Sequence, residues 1–205
     1  MKFIAITGSF ASGKSFVSNY LQEIGYKVFS CDDYVKNLYK DPFVQQDLIK
    51  LIGGLSSALI DDASGEFNKK KLAEIIFNDD NQRKKVEAYI HPKVKLGINS
   101  FKQNNLNSKL LFAEVPLLFE ANFDIYFDYS LCVYCSEESR ENRARNRSIS
   151  GFGNNFDSKS YNRIKLIQLS QEEKKNLADF LVNTDKEPGD VKVQVNEIIE
   201  RLNEC

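Results

Sequence analysis

The sequence is poor in cysteine and carries almost no net charge. Four cysteines in 205 residues are too few for the disulfide framework of a small secreted domain. Twenty-eight basic residues are balanced by 29 acidic ones, which gives a formal charge of -1. This balance gives no long-range electrostatic reason to expect duplex nucleic acid or an acidic membrane as a partner.

Long apolar runs are also absent. None approaches the roughly 20 residues needed to cross a bilayer, and the apolar start "FIAI" is too short for the core of a signal peptide. The composition, 42% hydrophobic and 12% aromatic, is that of an ordinary globular chain. We therefore expect a cytoplasmic protein of one domain, with no nucleic-acid or membrane partner.

Two of the cysteines, Cys132 and Cys135, have the C-x-x-C spacing of a redox or metal motif. They lie in "YSLCVYC", which has the composition of a strand. Residues three apart on a strand point to opposite faces, so a dithiol or a metal clamp does not form easily there. We interpret both as buried or half-buried thiols.

Strand-like apolar segments alternate with helical patterns along the chain. Strands are predicted at 2–7, 27–30, 109–115, 129–135 and 179–183, and helices at 14–24, 137–147, 158–177 and 188–203. The alternation predicts an α/β fold with a mainly parallel, five-stranded sheet that is covered on both faces.

Two excursions interrupt this alternation. Residues 33–105 are mostly helical and are expected to form an inserted lobe, with breaks at Pro42, at Gly53 and Gly54, at 61–65 and at His91 and Pro92. We expect a helix to begin at Pro92 and His91 to be a structural residue before it; contact with substrate is the alternative. Residues 148–158 are rich in glycine and asparagine and are placed like a mobile lid.

The stretch from Gly8 to Ser15, "GSFASGKS", has the full G-x-x-x-x-G-K-[ST] pattern between a predicted strand and a predicted helix. Its glycines allow backbone N–H groups to turn inward around a phosphate, and the helix adds the positive end of its dipole. Lys14 supplies a charge for the β- and γ-phosphates, and the Ser15 hydroxyl is a ligand for Mg²⁺. We predict a triphosphate-binding loop; a small-residue turn that only begins a helix is the alternative.

Asp32 and Asp33 directly follow the second strand, in "SCDDY". A parallel strand delivers the residues after it to the carboxyl edge of the sheet, beside the phosphate loop. A carboxylate there could accept the proton of an attacking hydroxyl or hold Mg²⁺ through water, or it could cap the following helix. We assign catalysis to Asp32 and capping to Asp33.

Glu114 ends the third predicted strand. An acid at the end of a strand next to the strand of the phosphate loop would coordinate Mg²⁺ or its water shell. A glutamate that only meets solvent at the strand end is the alternative.

The helix predicted after Ser136, a good N-cap, is rich in arginine. At 100° per residue Arg140, Arg143 and Arg147 share one face, and Arg145 points elsewhere. Guanidinium groups before a lid could stabilise a transferring phosphoryl group, although such rows are often solvated faces that pair with acids. The N/T-K-x-D and D-x-x-G motifs of a switch GTPase are not found, so a kinase is favoured.

Over nearly its whole length the chain closely resembles the dephospho-CoA kinase family. The P-loop alone is common to many families, whereas "PLLFE" after the third strand, with "HP" upstream, is specific to this one. The segments that carry the resemblance are "ITGSFASGKS", the "CDD" after the second strand, "GEFNKKKLAEIIF" (65–77), "IHP" (90–92), "VPLLFE" (115–120), the spacing of Arg143 and Arg147, Gln168 and "ADFLVN" (178–183).

The resemblance implies a three-layer P-loop kinase fold and the phosphorylation of the ribose 3′-hydroxyl of dephospho-CoA by ATP, which gives coenzyme A. The expected parts are a core at about 1–32, 106–147 and 178–205, a helical acceptor lobe at about 33–105 and a lid at about 148–177. The resemblance also implies that Asp32 is the base and that Arg143 contacts phosphate. The positions assigned to ATP are Gly8, Ala11, Ser12, Gly13, Lys14, Ser15, Phe16 and Arg147, and those assigned to Mg²⁺ are Ser15 and Glu114.

Two positions depart from the family pattern. The family usually has an acid at the place of Ser30, so we expect catalysis to depend more strongly on Asp32. It usually has threonine at the place of Phe16, so a hydroxyl contact to the nucleotide is lost and only the backbone N–H of Phe16 could reach phosphate.

The segment 69–95 holds eight basic residues and four acids. Its basic residues could attract the pyrophosphate of the acceptor or form a solvated surface.

Two other functions stay open beside this one. Another small-molecule kinase of the same fold, such as a nucleoside monophosphate kinase, is the nearest; a regulatory ATPase whose inserted lobe binds a protein belongs to a different class. For the assembly state, a monomer is expected.

Overall fold

A computed structural model of the chain describes residues 1–53, 59–61, 66–146 and 158–204, with the backbone alone for 158–162. The strands are β1 (Lys2–Thr7), β2 (Lys27–Ser30), β3 (Leu110–Glu114), β4 (Tyr129–Tyr134) and β5 (Phe180–Asn183). The helices are α1 (Lys14–Glu23), α2 (Cys31–Leu38), α3 (Pro42–Ile52), α4 (Lys69–Asn78), α5 (Asp80–Gln103), α6 (Glu137–Asn146), α7 (Ser158–Ile167), α8 (Gln171–Leu177) and α9 (Pro188–Glu204). The predicted lid loop, 148–158, lies outside the described residues except for Ser158, where α7 begins.

The five strands form one parallel sheet in the order β2-β3-β1-β4-β5. The central strand is β1, in which Ile6 pairs with Glu114 of β3 on one side and with Leu131 of β4 on the other. The connection from β1 leads to one edge of the sheet and that from β4 to the other, and open α/β sheets bind ligands at the carboxyl ends of such strands. The predicted α/β fold with a five-stranded parallel sheet is confirmed.

Burial on both faces explains why the central strand is apolar. Phe3, Ile4, Ala5 and Ile6 of β1 have no exposed surface, as expected for a strand that is covered by helices on each side. Helices α1 and α9 contribute to this core an apolar face of helical period, formed by Val17, Leu21, Val191, Val195, Ile198, Ile199 and Leu202. The sheet and these two helices therefore make a rigid base for the loop that follows β1.

The described residues divide into two compact units. Residues 1–31, 98–146 and 158–204 form the first unit, which contains the sheet, and 32–53, 59–61 and 66–97 form the second, which is helical. In the second unit the predicted break at Pro42 is confirmed, since α3 begins there and the Asp41 carboxylate caps it by accepting from the N–H of Phe43 at 2.9 Å.

The predicted helix boundary at His91 and Pro92 is wrong, since α5 continues through both residues. A proline inside a helix removes one backbone hydrogen bond and typically costs about 3 kcal/mol. The apolar residues of α5 recur every four positions on both sides of the proline and are buried, and this packing offsets the cost. They are Val86, Ile90, Val94 and Ile98.

The single helix predicted at 158–177 is also wrong, because the structure has α7 and α8 with a break at residues 168–170. Ser170 caps α8 with a complete capping box, in which its hydroxyl accepts from the N–H of Glu173 and the Glu173 carboxylate accepts from the N–H of Ser170. The S-x-x-E signal was present in "SQEE". The break leaves Gln168 and Leu169 outside the helices for other contacts.

The cysteines behave as plain buried thiols. Cys132 and Cys135 are both buried and free, as predicted. Burial raises the pKa of Cys132 to about 11 and also raises the pKa of Cys135. Across the described ranges, no three His, Cys, Asp or Glu residues group closely enough to hold a metal ion.

In the part of the chain that the structure describes, no helix has both the length and the apolar character needed to cross a membrane.

A buried ion pair joins α8 to the segment after β3. The Lys174 ammonium has no exposed surface and donates to the Glu120 carboxylate at 2.8 Å and to the Pro116 carbonyl at 2.7 Å. The same carboxylate accepts from the N–H of Leu169 at 2.8 Å. The "PLLFE" segment therefore braces the junction between α7 and α8.

Glu120→Ala should lower the free energy of unfolding by about 3–5 kcal/mol, because it leaves the buried Lys174 charge without its counter-ion. Urea unfolding measures this loss. Glu74→Ala is the control, since it removes the largely exposed pair with Lys71 and should change stability by less than about 1 kcal/mol. A loss of less than about 1 kcal/mol for Glu120→Ala as well would show that the pair is not a brace.

Candidate active site

The loop between β1 and α1 has a backbone that only small residues tolerate. Gly8 has φ 148°, Gly13 has φ 99° and Ala11 has φ 62°, all on the positive side. A Cβ at Gly8 would lie 2.2 Å from the Val133 carbonyl oxygen, and one at Gly13 would lie 3.0 Å from Oγ1 of Thr184. The loop is thus pressed against the ends of neighbouring strands, which leaves no room for a Cβ at Gly8 and only a tight fit for one at Gly13.

Lys14 is the first residue of α1 and is buried. Its side chain folds back over the loop, and Nζ donates to the carbonyl oxygens of Gly8 at 2.9 Å and Ser9 at 3.0 Å. These two bonds hold the ammonium over the loop that begins α1, where it adds its charge to the positive end of the helix dipole.

Two hydroxyls of the same loop, Oγ of Ser9 and Oγ of Ser12, are buried and make no hydrogen bond to any described residue. Buried polar groups are nearly always paired, so these two donors indicate a site for an acceptor-rich group. A phosphate chain fits the donors, the positive charge of Lys14 and the glycine-lined cradle together. The donors and the positive charge of this loop therefore suit the phosphates of a nucleotide.

Ser15 and Glu114 are brought together at the carboxyl edge of β1 and β3. The Ser15 hydroxyl donates to the Glu114 carboxylate at 3.3 Å, and Ser15 is exposed. The prediction that Glu114 ends the strand beside β1 is confirmed by the register of the sheet. A hydroxyl and a carboxylate oxygen are the hard ligands that Mg²⁺ prefers, and Mg²⁺ usually takes its other ligands from water and phosphate.

Arg143 of α6 is held against the phosphate loop by a residue that the sequence reasoning missed. Its Nη2 donates to the Thr184 carbonyl at 2.6 Å, and its Nη1 donates to Oγ1 of Thr184 at 2.9 Å. The Thr184 hydroxyl in turn donates to the carbonyl of Ser12, at 2.6 Å. Thr184 directly follows β5, and that position at the carboxyl end of a parallel strand was the one available signal.

Gln168 reaches the loop from the break between α7 and α8. Its Oε1 accepts from the N–H of Phe10 at 3.0 Å. A cavity of about 360 Å³ lies beside this contact and is also lined by Ser9, Arg140 and Lys165. The Glu137 carboxylate pairs with both Arg140 and Lys165, so its single negative charge is shared between two cations.

The arginine row of α6 does not act as one surface. Arg140 is buried and paired with Glu137, Arg143 is half-buried at the phosphate loop, and Arg145 is exposed near Glu141. Ser136 caps the helix as predicted, accepting from the N–H of Ser139 at 3.2 Å. Arg147 lies outside the described residues, and its assignment stays a prediction.

Asp32 and Asp33 are exposed and lie in the first turn of α2, in the second unit. Neither is the residue that precedes the helix, since α2 already begins at Cys31, so the assignment of capping to Asp33 is wrong; its carboxylate instead pairs with Lys36 at 2.7 Å. The N–H of Phe16 donates to the Gly13 carbonyl at 3.0 Å and is therefore engaged in the first turn of α1.

Comparison with known proteins agrees with this site. A sequence model of the dephospho-CoA kinase family matches residues 2–190. Dephospho-CoA kinase from Rickettsia bellii is 44% identical over 205 residues, which is all of this chain and 99% of the relative, and that from Fusobacterium nucleatum is 33% identical over 97% of each chain.

Solved structures show the same fold. A Thermus thermophilus protein superposes with a TM-score of 0.79 at 26% identity, over 98% of this chain and 97% of the other. Dephospho-CoA kinase from Campylobacter jejuni superposes with a TM-score of 0.69 at 24% identity, over the same shares. With its phosphate loop at the carboxyl edge of a five-stranded parallel sheet, the chain belongs to the dephospho-CoA kinase family of ATP-dependent transferases.

Proposed function

We propose that the chain carries out the reaction of its family, the transfer of the γ-phosphoryl group of ATP to the ribose 3′-hydroxyl of dephospho-CoA to give coenzyme A. The observation that carries the proposal is the loop between β1 and α1. It combines a cradle lined by glycines, the buried Lys14 ammonium and two buried hydroxyls without partners among the described residues. Each of these features suits a chain of phosphates.

The loop positions the donor. Backbone N–H groups and Lys14 bind the phosphates, and Lys14 neutralises the charge that develops on the β- and γ-oxygens during transfer. Arg143 lies at the edge of the same loop and adds a second positive charge. Since phosphoryl transfer depends mainly on positioning and electrostatic stabilisation, these groups supply most of what the donor side needs.

Ser15 and Glu114 would hold Mg²⁺. Their oxygens lie 3.3 Å apart at the edge of the sheet where the phosphate chain would end. A bound Mg²⁺ would neutralise part of the negative charge of the phosphate chain. Glu114 accepts a hydrogen bond from the Ser15 hydroxyl, so it also fixes the direction of the hydroxyl lone pairs.

On the acceptor side, Asp32 is the base. Asp32 is the second residue after β2. The last residue of β2, Ser30, pairs with Glu114 of β3. A carboxylate that accepts the ribose proton and orients its oxygen would assist transfer. Arg147 would bind phosphate from the end of α6, the helical lobe would bind the acceptor, and the lid would exclude water.

For the assembly state we propose a monomer. The described cysteines are free, which fits the reducing cytoplasm.

The function is tested with a panel of acceptors. Incubated with ATP and Mg²⁺, the purified protein should convert dephospho-CoA to coenzyme A, which mass spectrometry detects, and should leave nucleoside monophosphates unchanged. Phosphorylation of AMP without any of dephospho-CoA would indicate a nucleoside monophosphate kinase. Equal ATP hydrolysis with and without each acceptor would indicate a regulatory ATPase.

Glu114→Gln and Ser15→Ala should each raise the Mg²⁺ concentration needed for half-maximal activity, by about tenfold or more, because each removes an oxygen from the metal or its water shell. Activity measured against Mg²⁺ at saturating ATP gives this value. Ser18→Ala is the matched control, since Ser18 is buried on the same helix. An unchanged Mg²⁺ dependence in both site variants would exclude this metal site.

Asp32→Asn should lower kcat by about 10²–10⁴-fold with little change in the affinity for ATP, because it removes the general base. Asp33→Asn is the matched control and should cost about tenfold or less, since that carboxylate pairs with the exposed Lys36. Steady-state kinetics of both variants decide the assignment. It fails if the ranking is reversed, or if Asp32→Asn mainly weakens the binding of Mg²⁺ and ATP.

A further inference from the structure

Thr184 contacts the phosphate loop at Ser12 and Gly13. It is buried, and it lies within the first unit of the structure together with the loop and α6. Its hydroxyl donates to the carbonyl of Ser12 at 2.6 Å, with the carbonyl of Tyr134 further away at 3.3 Å, and it accepts from Nη1 of Arg143 at 2.9 Å. Its side chain also fills the space behind Gly13, where a Cβ would meet three of its atoms within 3.3 Å.

The bond to Ser12 has a geometric consequence for the next residue. The Ser12 carbonyl and the Gly13 N–H belong to the same peptide unit, and none of the peptide bonds between described residues is cis. In a trans peptide the C=O and the N–H point in opposite directions. Because Thr184 holds the carbonyl outward, the Gly13 N–H is turned toward the inner side of the loop.

Gly13 has no side chain that would restrict its own backbone conformation. Gly13 has φ 99°, and glycine has many conformations of similar energy. A loop of this kind can therefore rotate the peptide unit unless an external contact fixes it. Thr184 supplies the shorter contact, at 2.6 Å, and Arg143 adds a longer bond to the same Ser12 carbonyl, at 3.4 Å, and a bond to the Thr184 carbonyl.

We propose, resting on the assignment of this loop to the triphosphate, that Thr184 is a positioning residue for phosphate binding. It fixes the orientation of the Gly13 N–H through the Ser12 carbonyl and holds Arg143 at the edge of the loop. It acts on the phosphate chain and not on the nucleoside, since its hydroxyl contacts the loop backbone and Arg143. The hydroxyl is the essential group, while the methyl group fills space.

The test compares variants that separate the hydroxyl from the shape of the side chain. Thr184→Val keeps the shape and removes the hydroxyl, and Thr184→Ser keeps the hydroxyl. Binding of ATP and of inorganic tripolyphosphate is measured by calorimetry without acceptor. Thr184→Val should weaken both ligands by about tenfold, the equivalent of about 1.4 kcal/mol, whereas Thr184→Ser should stay within about twofold of the unmodified chain.

A control variant and the melting temperature distinguish a role of Thr184 in phosphate binding from a role in stability alone. Ser130→Ala removes a buried hydroxyl that bonds to Asp179 in the same sheet and has no bond to the loop. It should lower the melting temperature and leave the binding of tripolyphosphate unchanged. If Thr184→Val does not fold, Thr184→Ala against Thr184→Ser makes the same comparison.

The inference is overturned if Thr184→Val binds tripolyphosphate as tightly as the unmodified chain, or if Thr184→Ser is as weak as Thr184→Val. Lys14→Ala separates this failure from a failure of the proposed function. If Lys14→Ala weakens tripolyphosphate binding and Thr184→Val does not, only the role of Thr184 is wrong. If Lys14→Ala has no effect, the loop is not the phosphate site and both assignments are wrong.

Discussion

The absence of a side chain at Gly8 is the constraint on which the site depends. A Cβ there would lie 2.2 Å from the Val133 carbonyl oxygen, so only glycine allows β1 to turn directly beside β4. This close approach places the loop where α6 and the residues after β5 can reach it. The contacts of Arg143 and Thr184 with Ser12 are possible because the loop lies that close to the ends of β4 and β5.

The charged groups of the site are held by neutral backbone oxygens. Lys14 donates to two carbonyls of its own loop, and Arg143 donates to the carbonyls of Thr184 and Ser12. A carbonyl satisfies the hydrogen-bonding needs of a buried cation without cancelling its charge, whereas a carboxylate would cancel it. Arg140 and Lys174 are each paired with a glutamate and brace the structure. These bonds hold the positive charges of Lys14 and Arg143 at the phosphate loop.

Sequence patterns predicted the sheet well and two helices poorly. Strands β1 and β2 have the predicted bounds, and the other three differ by about one residue, because strands buried on both faces read as short apolar runs bounded by polar residues. The helix through Pro92 was missed because its stability comes from packing on both sides of the proline and not from local propensity. The end of α7 was missed although the capping box of Ser170 and Glu173 was readable.

The sequence by itself determined the fold class, the phosphate loop and the family. The loop conformation is encoded within eight consecutive residues, by glycines at positions that need positive φ and by the strand and helix on either side, so a local pattern suffices to predict it. Tertiary structure alone decided that Thr184 would bond to Ser12, 172 residues away, and that Lys174 would pair with Glu120. These partners satisfy polar groups that are buried only after the sheet and its helices have packed, and no local spacing in the chain specifies which residues will then meet.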